Sequence, residues 1–251
     1  MSGHSKWSTI KRKKAVVDAK RGKVFTQLIR ELTIAARLGG GDRDSNPRLR
    51  LTIENARKAN MPNDNIDRAI KKGTGELAGE SYAEVRYEGY GPNGVAVMID
   101  TLTDNRNRTV GEIRRLFTKH GGNLGAGGCV AYLFEQKGIL SFDRAGLDGE
   151  GLMEAAIEAN AEDVIEETDS LEIQTRPEAL ESVRAVLQGR GFTPARADVS
   201  MLPSTTVALS GSDAERMLRL YEELDEHEDV KQVHANFDIS ESEMVRMAEA
   251  G

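Results

Sequence analysis

Apolar residues recur at helical spacing between Asp18 and Leu38, at Val24, Phe25, Leu28, Ile29, Leu32, Ala35 and Ala36. A helix over that stretch has one apolar face. Gly39 to Gly41 end it, because glycine takes the left-handed cap without steric cost. The stretch SNPRLRLTIENARKAN predicts a second helix, with Asn46 as cap, Pro47 in the first turn, and Leu49, Ile53 and Ala56 inward. A third is expected over MPNDNIDRAIKKG, with Ile66, Ala69 and Ile70 inward. Lys71 and Lys72 suit the negative end of its dipole, and Gly73 its stop. Residues 1–22 lack this periodicity and read as a flexible tail, weakened as helix by Gly3 and Gly22.

After residue 80 the period changes. YAEVRYEGY alternates as a strand, turns at Gly91-Pro92-Asn93-Gly94, and pairs in a hairpin with the apolar run VAVMID. RTVGEIRRLFTKHG returns to helical spacing through Val110, Ile113, Leu116 and Phe117. CVAYLFEQ and GILSFD read as two strands. A helix through Leu152, Met153, Ala156 and Ile157 follows, then the strands EDVIEET and SLEIQTR. PEALESVRAVLQGRG is a helix opened by Pro177, and ARADVSM and TTVALS are strands. A helix from Ser212, with Glu215 at capping-box spacing, leads to the last strand, VKQVHANFDI.

From Gly138 to Met201 the order is β-α-β-β-α-β, a complete ferredoxin-like unit. The flanking parts read β-α-β on each side. Two consecutive α/β domains would leave the last β-α-β without sheet partners, so nesting is expected. The fold class is α+β with three domains: an N-terminal all-α three-helix domain plus two ferredoxin-like α/β domains, one inserted into the other. The expected boundaries are a flexible basic tail at 1–22, a helical basic domain at 23–79, a ferredoxin-like domain at 80–136 and 203–240, and the inserted one at 137–202.

Charge is placed unevenly. The chain of 251 residues has net charge −7. Residues 1–72 hold 18 Lys and Arg against 7 Asp and Glu, a net of +11, and the remainder carries −18. A basic first third on an acidic body suggests nucleic-acid contact by one segment; a solvated charged surface is the plainer alternative. One cysteine, Cys129, excludes an internal disulfide framework and fits a reducing cytoplasm. No apolar run reaches the length of a membrane helix. The basic start lacks the apolar middle of a secretory signal.

Two segments could carry chemistry. The first is the basic start, with Lys6, Trp7, Lys11, Arg12, Lys13, Lys14, Lys20, Arg21 and Lys23. Such cations neutralise phosphates and release counterions. Trp7 could stack on a base or tuck against the protein's own helices. The second is DNRNRTVGEIRRLF, where Arg106 and Arg108 lie around a helix start, with Arg114 and Arg115 further along. Arginine forks and free N–H groups at a helix start suit phosphate; an arginine–carboxylate network within the protein is the alternative. The glycine-rich GGNLGAGGC lacks the ending of a phosphate loop and precedes a strand. His4, His120, His227 and His234 share no metal spacing, and no nucleophile context stands out. No enzyme activity, metal or cofactor is expected.

The motifs GHSKW, KRGKVFTQLIREL, LGGGD with NPRLR, NMPNDNIDRAIKKGTGE, YEGYGPNGVAVMID, DNRNRT and GGNLG through VAYLF resemble the YebC/PmpR family. These are bacterial relatives of the mitochondrial translational activator of cytochrome c oxidase. The resemblance covers nearly the whole chain and is densest from Gly3 to Phe134. It implies a helical N-terminal domain with two α/β domains, transcription regulation by DNA binding and no known catalytic site. Family members are also implicated in translation, so ribosomal RNA or mRNA on the ribosome is the alternative partner. A metabolite-sensing module is a lesser reading. A protein partner for the acidic domains is a further expectation, and a membrane is not.

Overall fold

The computed structural model describes residues 17–166 and 170–250. Lys6, Trp7, Lys11, Arg12, Lys13 and Lys14 lie outside the described residues.

Three helices open the described chain: α1 (Val17–Gly39), α2 (Pro47–Lys58) and α3 (Asn63–Thr74). They close on Leu32, Ala36, Leu49, Ile53, Ala56, Ile66 and Ala69. Asn46 caps α2 as expected, its side chain accepting from the Leu49 N–H. Two boundaries differ from the pattern. First, α1 already runs at Val17 and passes through Gly22, which the tail was expected to include. Once the apolar turns are packed, adding a helical turn costs little. Second, Gly73 does not stop α3, which runs to Thr74 and ends at Gly75, with φ 84°. Gly73 serves packing instead. A Cβ there would lie 2.4 Å from the Thr33 carbonyl oxygen and 2.7 Å from the Ala36 Cβ, both on α1.

The first sheet has the order β3-β1-β2-β9, from β1 (Ala83–Tyr90), β2 (Ala96–Thr103), β3 (Asn123–Leu124) and β9 (Val230–Ala235). Helices α4 (Arg106–Lys119) and α7 (Gly211–Glu226) cover one face. There Val97, Ile99, Ile113, Phe117, Met217 and Leu220 form the core. On the other face, Ala96 and Met98 pack with Val130 and Phe134. Burial on both faces explains why β2 reads as an unbroken apolar run.

The second sheet, β5-β6-β4-β7, is antiparallel throughout. It comprises β4 (Phe134–Asp143), β5 (Asp163–Glu166), β6 (Ser170–Thr175) and β7 (Arg196–Pro203), with α5 (Gly149–Glu158) and α6 (Leu180–Gly189) between them. Its order and connections are the expected ferredoxin-like ones, and its chain segment lies inside that of the first sheet.

Three predicted pieces of the first sheet changed. Residues 129–133 are not a strand but pass through a 3-10 turn at Ala131–Leu133. The Glu88 carboxylate takes the N–H groups of Gly128, Val130 and Ala131 at 2.8–2.9 Å and holds that turn. One long β4 then joins what the pattern had split in two. TTVALS supplies only β8 (Val207–Ala208), which pairs parallel with β10 (Phe237–Asp238) outside the four-stranded sheet. Its slot is filled by β1, whose hairpin register with β2 is continuous from Ala83↔Thr103 to Tyr90↔Ala96. Finally, α7 starts at Gly211, not Ser212, and no Ser212 capping box forms. The Gly211 N–H donates instead to Glu243 on α8 (Glu241–Ala250), a helix the pattern missed.

Candidate nucleic-acid interface

The cations of the helical domain divide into two sets. One set bonds to the body of the protein. Arg30 is 6% exposed. Its Nη1 donates to the Leu102 carbonyl at 2.9 Å and to Asp229 Oδ1 at 2.6 Å, and its Nη2 donates to Glu228 at 2.9 Å. Its guanidinium also lies 5.4 Å from the centre of the Tyr82 ring. Arg48 bridges Glu31 on α1 and Glu84 on β1 at 2.7 and 2.5 Å. Arg37 donates to Ser81 at 2.6 Å and to the Tyr82 carbonyl. Lys23 donates to the Asp225 carbonyl on α7. These cations fasten the helices to the first sheet.

The other set points out. Arg57 and Lys58 end α2, and Arg68, Lys71 and Lys72 share one face of α3 by their spacing. All five are exposed, and none pairs with a carboxylate among the described residues. Arg43, Arg57 and Lys71 also line a groove with Asp42, Asp67 and Glu76, so the outward set is not purely basic. Lys20 and Arg21 lie in the first turns of α1.

The second predicted segment splits between its two arginines. Asn105 caps α4 by accepting from the Arg108 N–H at 3.1 Å. Arg106 is exposed, and its main-chain oxygen accepts from the Tyr87 hydroxyl. Arg108 Nη2 donates to both Asp104 and Asp229 at 2.8 Å, the arginine–carboxylate network given above as the alternative. Asp229 is 2% exposed and also accepts from the Thr109 hydroxyl at 2.6 Å. Burial alone would raise its carboxyl pKa; Thr109, Arg108 and Arg30 outweigh that and hold it below the usual range. Asp229 thus ties the helical domain, through Arg30, to the start of α4.

Among the described residues, Glu112, His227 and Asp229 bring potential metal ligands within 4.8 Å of one another. Protein partners already occupy them. His227 Nδ1 accepts the Asp229 N–H at 3.1 Å, which leaves its proton on Nε2, 2.9 Å from Glu112. The carboxylate of Asp229 has its three donors. This is a hydrogen-bonded chain rather than an open ligand set.

A family model described as the N-terminal domain of the TACO1/YebC protein matches residues 5–76, and one described as the TACO1/YebC second and third domain matches residues 82–237. The chain belongs to the TACO1/YebC family. It is 56% identical over 249 residues to a relative in Syntrophus aciditrophicus, covering 99% of this chain and all of that protein. A relative in Pelotomaculum thermopropionicum is 58% identical over 243 residues, covering 96% of this chain and all of that one. Both are named "Probable transcriptional regulatory protein". The crystal structure of a conserved hypothetical protein from Aquifex aeolicus matches with a TM-score of 0.83 and 52% identity, covering 90% of this chain and 93% of that one. Among the described residues no helix is long and apolar enough to cross a membrane.

Within this TACO1/YebC chain, sequence reasoning missed Arg30 and Glu88. Arg30 stands beside Glu31 between the apolar Ile29 and Leu32, and Glu88 lies between Tyr87 and Tyr90 with Arg86 two residues before it. That is the only local signal either gives. Their partners lie 199 and 40 to 43 residues away in the chain.

Proposed function

We propose that this TACO1/YebC member is a cytoplasmic, non-enzymatic DNA-binding regulator of transcription. Its basic helical domain and basic start, Lys6 to Arg21, are the phosphate-gripping parts; Lys23, expected among them from sequence, is spent on the Asp225 carbonyl. Arg106 adds a contact, while Arg108 holds the α4 start. The observation that carries the reading is the outward set: Arg57, Lys58, Arg68, Lys71 and Lys72 are exposed, with no ion pair among the described residues. Phosphate contacts of this kind give affinity with little sequence reading, so modest sequence preference is expected. The relatives' names support the regulatory role.

The test is anisotropy titration of a DNA duplex at several salt concentrations. Replacing Arg57, Arg68, Lys71 and Lys72 by Ala should weaken binding. It should also flatten the log–log salt slope by about 0.9 for each phosphate that is no longer neutralised. Lys11 to Lys14 replaced by Ala should act in the same direction. Unchanged affinity and slope in both variants would overturn the reading. Crosslinking in cells should recover promoter DNA; recovery of ribosomal RNA alone would replace transcription by translation.

A further inference from the structure

The groove on the helical domain is built from one side of α3, one side of α2 and the loop after α1. On α3, Ile66 with Ile70 and Asp67 with Lys71 are each one turn apart, so the four lie on one side of that helix. Ile53 and Arg57 are likewise one turn apart on α2. The loop closes the third side with Gly41 and Arg43. Gly41 lets it lie against α3: a Cβ there would stand 2.9 Å from Thr74 Cγ2 and 3.3 Å from Ile70 Cγ2. Ile53 and Ile66 are buried and Ile70 is half-buried, so the floor is apolar. The groove holds about 720 Å³, within the roughly 300–1,000 Å³ of sites that take a small molecule or group.

The charges around this floor are engaged to different degrees. The Asp42 carboxylate accepts from the Asp44 N–H at 3.1 Å and the Ser45 hydroxyl at 3.0 Å. Glu76 accepts from the Thr74 hydroxyl at 2.9 Å. Asp67, Arg43, Arg57 and Lys71 are all exposed, and their side chains make no hydrogen bond or ion pair among the described residues. Asp67 and Lys71 could pair across one turn and do not. One unengaged carboxylate therefore stands among three unengaged cations over an apolar floor.

A duplex backbone does not fit this set. It would meet the cations, be repelled by Asp67 and leave the isoleucines uncovered. An unpaired nucleotide matches all three parts. The faces of its base cover the floor, its exposed edge donates to Asp67, and the flanking phosphates meet Arg43, Arg57 and Lys71. Adenine, cytosine and guanine each carry an amino group to donate, whereas thymine presents carbonyl oxygens that a carboxylate repels. Resting on the DNA-binding reading above, we propose that this groove seats an unpaired, amino-bearing base of DNA. A base already out of the stack enters without the cost of unpairing.

The test is anisotropy titration of the full chain on three duplexes: one fully paired, one with a bulged adenine and one with a bulged thymine. The parent should bind the adenine bulge about tenfold more tightly than the other two. Asp67→Ala decides the matter by its sign. It removes a negative charge, so a surface that only grips phosphate would bind every duplex more tightly. With a base seated on Asp67, the variant instead loses the adenine preference while the paired duplex is bound as well as before or better. Because the Asp67 side chain is exposed and unbonded, the variant should melt with the parent. Equal affinity of the parent for all three duplexes, or an adenine preference that survives Asp67→Ala, would overturn the inference and leave the broader reading standing. Displacement of the adenine-bulged duplex by micromolar deoxyadenosine monophosphate would assign the groove to a free nucleotide instead. A chain that binds none of the duplexes would sink both readings.

Discussion

The inward and outward cations of the helical domain come from the same three helices and do opposite work. Arg30 is surrounded by Leu102, Asp229 and Glu228, from parts of the chain far from its own. Arg68 and Lys72, on the next-but-one helix, face solvent. The net of +11 over residues 1–72 therefore overstates the charge available to a ligand. Part of it is internal attachment, already neutralised by the acidic body. A positive segment on a negative protein can signal a ligand or an interface between domains, and here it signals both. At Arg30, the buried member of the inward set, the deciding cost is desolvation. A buried cation must be paired, whereas an exposed one can wait for a partner.

The comparison breaks most visibly at Arg30. Arg30→Met keeps the stem but leaves Asp229 Oδ1 without its charged partner. Loss of one member of a buried pair costs roughly 3–5 kcal/mol, and the low end is expected because Arg108 and Thr109 still hold Oδ2. Chemical denaturation should show a loss of about 3 kcal/mol, whereas the outward variants should stay within about 0.5 kcal/mol of the parent. An Arg30→Met variant as stable as the parent would erase the distinction between the sets.

The two sheets show how far sequence reached. The inserted sheet was legible because its β-α-β-β-α-β order is complete within 70 residues of chain, from Phe134 to Pro203. The first sheet was not fully legible. Its strands come from both sides of the insert, and TTVALS and VAVMID look equally strand-like as isolated runs. Nothing local says that β1 takes the third slot or that Glu88 keeps residues 128–131 in a turn. The candidate interface divides in the same way. Which residues are basic was plain, but which are spoken for depends on partners such as Asp229, about 200 residues from Arg30. Arg106 and Arg108 are two residues apart, and only the fold sends one to solvent and the other to Asp104 and Asp229.

A subtler contrast lies in acid. Asp100 is held between His234 and Arg86, at 3.3 and 2.7 Å. Burial alone would raise its carboxyl pKa, but His234 and Arg86 outweigh that and lower it from 3.8 to about 2. A carboxyl depressed in the folded state stabilises above its unfolded pKa and loses that contribution as pH falls through the folded one. Asp100→Asn should therefore cost roughly 2 kcal/mol at neutral pH. The gap to the parent should close between about pH 4 and pH 2. A gap that persists unchanged at pH 2 would mean that the pairing is not the source. The outward cations pair with no carboxylate among the described residues, so their Ala variants should run parallel to the parent over the same range.

The smallest test puts one substitution at two helix glycines. Gly73→Ala and Gly111→Ala both gain helix propensity, about 0.5–1 kcal/mol. At Gly73 that gain meets the Thr33 carbonyl oxygen at 2.4 Å, which is backbone and cannot rotate away. Overpacking of this kind costs about 1–3 kcal/mol, so the net is a loss of about 1 kcal/mol as α1 and α3 are pushed apart. At Gly111 nothing stands within 4 Å, and the gain should appear in full as a raised melting temperature. Opposite signs for the same methyl group would separate a glycine required by the fold from one the fold does not need. If Gly111→Ala instead destabilised the chain, that glycine would be structural despite the open space around it.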